Sequence, residues 1–146
     1  MISQTAEYAL RAMVFLAMQS SAATGQEIAQ TTKVPAGYLS KIMQLLVRGK
    51  LVNSQRGIGG GFVLSKAAQE ISILDVINSV DPIEKIMSCP LGFQSHGMNL
   101  CPLHKRLSAA TAQVEEAFAS SNLGELVEES KSPLCASSPL VEGNDQ

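Results

Sequence analysis

The chain has 146 residues, 45% of them hydrophobic, with three cysteines and a formal charge of −2. That length suits one compact unit rather than two independent cores. No run approaches the roughly 20 apolar residues of a membrane helix, and an odd cysteine count without a secretory leader favours thiolate or metal chemistry over a structural disulfide, so a soluble, cytoplasmic protein with no membrane partner is expected.

In chain order, Thr5 to Gln19 places Ala9, Ala12, Met13, Leu16 and Ala17 at helical spacing, with Ser3 or Thr5 as the cap. Thr24 and Glu27 have the spacing of a capping box and open a short second helix. Pro35 or Ala36 then starts a third, whose Leu39, Ile42, Met43, Leu46 and Val47 form a buried stripe up to Gly49. Two short helices joined by a tight turn read as a helix-turn-helix.

Residues 51–55 and 62–64 flank the glycine-rich tip Arg56-Gly-Ile-Gly-Gly-Gly61, the pattern of a small hairpin. A phosphate-binding loop is a poor reading of that tip, because no Gly-Lys-Ser/Thr follows and the run enters a strand rather than a helix. Ser72 caps another short helix that ends at Asp81-Pro82, and from Leu103 to Ser120 the residues Leu103, Leu107, Ala110, Val114, Ala117 and Phe118 give a longer helix one apolar face. That face serves either a dimer seam or packing within its own domain. The expected architecture is mainly α with a small β-hairpin wing: a winged helix-turn-helix domain over 1–66, a linker helix, loop and dimerisation helix over 67–129, and a disordered tail over 130–146.

Charge follows the same division. Residues 1–66 hold seven basic side chains against two acidic ones, net +5, whereas 67–146 hold four against eleven, net −7. A basic block that can meet phosphates, joined to an acidic one that cannot, fits a DNA-reading half and a sensing or dimerising half. In a helix-turn-helix the N-terminal part of the second helix faces base edges and phosphates, which selects Gly37, Tyr38, Ser40 and Lys41, with Arg48 supplying further charge. Arg56, followed by glycines, has the uncluttered setting of an arginine that enters a minor groove.

Cys89, His96, Cys101 and His104 lie within sixteen residues of a stretch rich in proline, glycine and asparagine. A loop that returns two thiols and two imidazoles to one place can wrap a soft centre such as zinc, copper(I) or an iron–sulfur cluster. A thiol nucleophile, Cys101 with His104 as its base, is the enzymatic alternative. Cys135, near the end, reads as a spare thiol.

Tyr8-Ala-Leu-Arg11, Leu51-Val52, Arg56-Gly-x-Gly-Gly-Gly-Phe62, Ile73-Leu-Asp-Val-Ile77 and the cysteine loop together resemble the Rrf-type winged-helix transcription regulators over about residues 1–129. The group includes iron–sulfur cluster regulators and nitric-oxide-sensing repressors. The resemblance implies a homodimer on a double-stranded DNA operator, crossed long helices and a loop holding a [2Fe–2S] cluster ahead of a [4Fe–4S] one. Cluster-binding members show Cys-x5-Cys-x5-Cys; Cys89 and Cys101 match the outer pair, while Ser95 stands in the middle place. His104 matches a histidine three positions after the last cysteine, and the fourth ligand falls to His96 or to Glu7 of the partner subunit. The empty middle place also leaves room for a cluster-free or zinc-binding repressor.

Overall fold

The computed structural model describes residues 1–87 and 101–130. Its first helix, α1 (Gln4–Ala17), is capped by Ser3, whose hydroxyl accepts from the Ala6 N–H at 3.2 Å. Ala6, Ala9, Leu10, Ala12, Met13, Val14, Phe15 and Leu16 are all buried, too many for a one-sided stripe. Helices on several sides cover it, which makes α1 the central pillar of the core.

Helix α2 (Gly25–Thr32) begins with the expected capping box: Thr24 N–H donates to Glu27 Oε2 at 2.7 Å and Glu27 N–H to Thr24 Oγ1 at 3.2 Å. Those bonds from Thr24, the backbone one first, hold the Glu27 carboxyl below its ordinary value. Lys33, in the left-handed region at φ 60°, stops the helix. Helix α3 (Ala36–Arg48) follows after buried Val34 and sends Leu39, Ile42, Met43 and Leu46 inward.

Strands β1 (Val52–Gln55) and β2 (Gly61–Leu64) pair antiparallel in the register Val52↔Leu64 to Gln55↔Gly61. Ala23 and Phe62 exchange backbone hydrogen bonds of 3.0 and 2.7 Å, which docks the hairpin onto the entry to α2. Gly61 has φ 140°, and a Cβ there would collide with the Ala23 carbonyl, so only glycine permits the approach.

A turn of 3-10 helix (Ala68–Glu70) leads to α4 (Ile73–Val80), which has its own Ser72/Asp75 capping box. The long helix α5 (Pro102–Ser120) is followed by α6 (Leu123–Glu129), a helix the sequence reading omitted although Asn122 and Glu125 form its capping box. Leu123 N–H donates to Ile71 O at 2.9 Å and Ile73 N–H to Ser121 O at 3.0 Å, so the start of α4 and the end of α5 are stitched together. Ile71, Val76, Ile77 and Leu123 join the same hydrophobic cluster as α1 and α3. By contrast α5 has no buried residue, and Leu103 and Leu107 are 62% and 46% exposed.

Candidate functional site

The outer side of α3 is polar and open. Gly37, Tyr38, Ser40, Lys41 and Arg48 are all exposed; Gly37, Lys41 and Arg48 lie opposite the buried Leu39, Ile42, Met43 and Leu46, with Tyr38 and Ser40 to either side. Four of the five residues that the sequence selected thus lie on the first two turns of the helix, and Arg48 is its last residue. Its N-cap, Pro35, makes no side-chain cap bond, leaving the first-turn N–H groups to outside partners.

A contact that sequence reasoning missed braces this end of α3. The rings of Tyr8 on α1 and Tyr38 meet edge to face, with centroids 5.9 Å apart and planes at 79°. The Arg11 guanidinium lies 5.8 Å from the Tyr8 ring centre, within cation–π range, and Gln4 Nε2 donates to the Tyr8 hydroxyl at 2.9 Å. The i, i+3 spacing of Tyr8 and Arg11 was visible in the sequence; Tyr38, thirty residues further on, was not tied to them by any local signal.

The hairpin projects beside α3. Arg56 is exposed at its tip, and Gly57 and Gly59 adopt φ of 94° and 75°, the left-handed turn that lets the chain reverse there. Between α2, α3 and the hairpin runs a groove of about 830 Å3 with an apolar floor of Ala29, Met43, Val47 and Phe62 and with Ser40 and Arg48 on its rim.

A second chemical centre lies at the start of α5. Cys101 occupies the N-cap with Pro102 as the first helical residue, and its Sγ lies 3.0 Å from His104 Nδ1, both side chains half-buried. Sulfur and nitrogen ligands of one tetrahedral ion stand about 3.6 Å apart, so a small rotation of either side chain sets both on a single metal. This donor pair, a soft thiol beside an imidazole, fits zinc or the iron of a cluster. Among the described residues no group of three such donors converges. Cys89, His96 and Cys135 lie outside those residues, and Glu7 is exposed on the first turn of α1. Lys85, in the stretch that follows α4, reaches Glu115 on α5 at 3.6 Å.

Comparison with known proteins agrees with this layout. A family model described as Rrf2, iron-dependent transcriptional regulator, matches residues 2–129. An Aquifex aeolicus chain that carries an HTH-type transcriptional regulator name is 30% identical over 129 residues, covering 86% of this chain and 90% of its own length. Among solved structures, T. potens IscR superposes with a TM-score of 0.74 at 21% identity, over 88% of this chain and 87% of that one. CymR, the global cysteine regulator of B. subtilis, gives 0.73 at 25% identity, over 89% and 98%. The winged-helix fold is therefore shared with both. Among the described residues no helix is long and apolar enough to cross a membrane.

Proposed function

The chain belongs to the Rrf2 family of DNA-binding transcriptional regulators, and from that premise we propose that it is a homodimeric repressor whose operator grip depends on an iron–sulfur cluster held around residues 89–104. Its family are regulators and not enzymes, so the reading of Cys101 and His104 as nucleophile and base lapses. The observation that carries the proposal is the 3.0 Å approach of Cys101 Sγ and His104 Nδ1 at the mouth of α5. Cys89 supplies the third ligand, and Glu7 of the partner subunit or His96 the fourth. When bound, an iron–sulfur cluster supplies a centre that oxygen, nitric oxide or iron shortage can alter.

Gly37, Tyr38, Ser40 and Lys41 face the major groove, Arg48 reaches phosphate, and Arg56 enters the adjoining minor groove. One sugar–phosphate strand then crosses between α3 and the wing, over the groove whose floor includes Met43 and Phe62. The exposed Leu103 and Leu107 on α5 meet their counterparts in a second copy, which places two α3 helices on successive turns of the duplex.

The fold supports a route from the proposed cluster to DNA. The backbone stitch at 71–73 and 121–123 holds the far end of α5, while Cys101 begins the near end, roughly 28 Å away by helical rise. A change in how residues 89–104 are held therefore tilts α5 about the stitch, together with α4, which packs on α3 and α1. Half-site spacing must match the DNA turn, so a small tilt alters affinity strongly.

Protein purified without oxygen is expected to be coloured and to contain iron and sulfide, and Cys89→Ala and Cys101→Ala to be colourless. Colour retained in either variant removes that ligand; colourless, iron-free wild type after reconstitution removes the cluster. Ser95 in the middle cysteine place favours one second reading, a cluster-free or zinc-holding repressor. Zinc without sulfide on analysis is its signature.

A further inference from the structure

The outward face of α3 carries one more side chain with reading chemistry. At 3.6 residues per turn, the buried Leu39, Ile42, Met43 and Leu46 centre on one side of the helix. Directly opposite lie Gly37, Gln44 and Arg48, flanked by Ser40 and Lys41, all of them exposed. Gly37, Ser40, Lys41 and Gln44 follow the spacing i, i+3, i+4, i+7. A helix laid along the major groove presents that set to successive base pairs, over two turns rather than one.

The members of this quartet differ in what they can tell apart. Gly37 has no side chain, the Ser40 hydroxyl donates and accepts and so discriminates weakly, and Lys41 is a point charge suited to phosphate or guanine. Gln44 alone holds a donor and an acceptor at fixed separation, the complement of adenine N7 and N6 along the major-groove edge. It also lines the groove between α3 and the hairpin.

We infer that Gln44 is a specificity-determining residue that reads one adenine in each half-site. The inference rests on the reading of α3 as the base-contacting helix, and the position is absent from the contacts proposed above. Because Gln44 is exposed and makes no part of the core, its variants keep the fold.

The test selects full-length protein against a random-sequence DNA duplex library, for wild type, Gln44→Ala and Gln44→Glu, followed by binding titrations across salt. Wild type is expected to enrich a site with one A·T pair per half-site that depends on Gln44. In Gln44→Ala the discrimination at that pair falls roughly five- to hundred-fold, with an unchanged slope of affinity against salt. Gln44→Glu moves the preference towards C·G, because a carboxylate accepts from cytosine N4. Should both variants enrich the wild-type site unchanged, or lose affinity equally for every sequence with an altered salt slope, the assignment is overturned while α3 remains the reading helix. If wild type enriches no sequence at all, the base-contacting role of α3 fails and takes this inference with it.

Discussion

The two ends of this molecule are built differently. Around α1 the side chains are packed on every side, and Met13, Ile28, Leu46 and Ile77 have no exposed surface. Helix α5, more than twice the length of α4, has no fully buried residue, and Phe118 near its end is the side chain it packs against the core. A closely packed head is thus joined to an arm whose first turns, with Leu103 and Leu107, stay exposed among the described residues while Phe118 near its end packs on the core. The proposed function calls for this asymmetry: a head that presents α3 in one geometry and an arm that rests in two.

The contrast is broken most severely by emptying the core. Leu46→Ala, on the inner face of α3, is expected to cost about 2–5 kcal/mol of stability, read as a lower denaturant midpoint; a loss below about 1 kcal/mol would show that the head is not the stable part. On the arm, Leu107→Asp is expected to leave the thermal midpoint of dilute protein nearly unchanged yet raise the dissociation constant of the proposed dimer roughly tenfold or more by burying a charge in its seam. Sedimentation at several concentrations reads this, and unaltered self-association would put the seam elsewhere. At the wing, Arg56→Ala is expected to weaken operator binding roughly ten- to hundred-fold through lost charge-assisted hydrogen bonds, with the fold intact by circular dichroism. Equal binding by the variant removes Arg56 from the contact set.

The smallest effect concerns the α2 cap. Thr24→Ala is expected to cost about 1 kcal/mol at neutral pH. Because the Glu27 carboxyl is held below its unfolded value, the stabilisation from its charge is present above the unfolded carboxylate value and is lost as pH falls through the lower folded one. The difference in melting temperature between wild type and Glu27→Ala should therefore shrink on acidification. A difference independent of pH would mean that the charge of Glu27 is not what caps α2.

Most elements could be read from the chain because their signals are local. Thr24 with Glu27 and Ser72 with Asp75 mark helix starts three residues apart, and the stripe from Leu39 to Leu46 declares the period of α3. The same local rule would have found α6 from Asn122 and Glu125. The division of charge and the exposed positions of α3 follow from composition and helical period as well, and so does the meeting of Cys101 with His104, one turn apart.

Tertiary structure alone decided the contacts between residues far apart in sequence. The edge-to-face pair of Tyr8 and Tyr38, the seating of Phe62 on Ala23, and the stitch of Ile71 and Ile73 to Leu123 and Ser121 each join segments that no periodicity or cap relates. Such pairings form because a shared core brings the segments together and their backbone groups must then find partners. The apolar face of α5 could likewise be predicted from sequence, but not that among the described residues Leu103 and Leu107 stay exposed while Phe118 packs on the core.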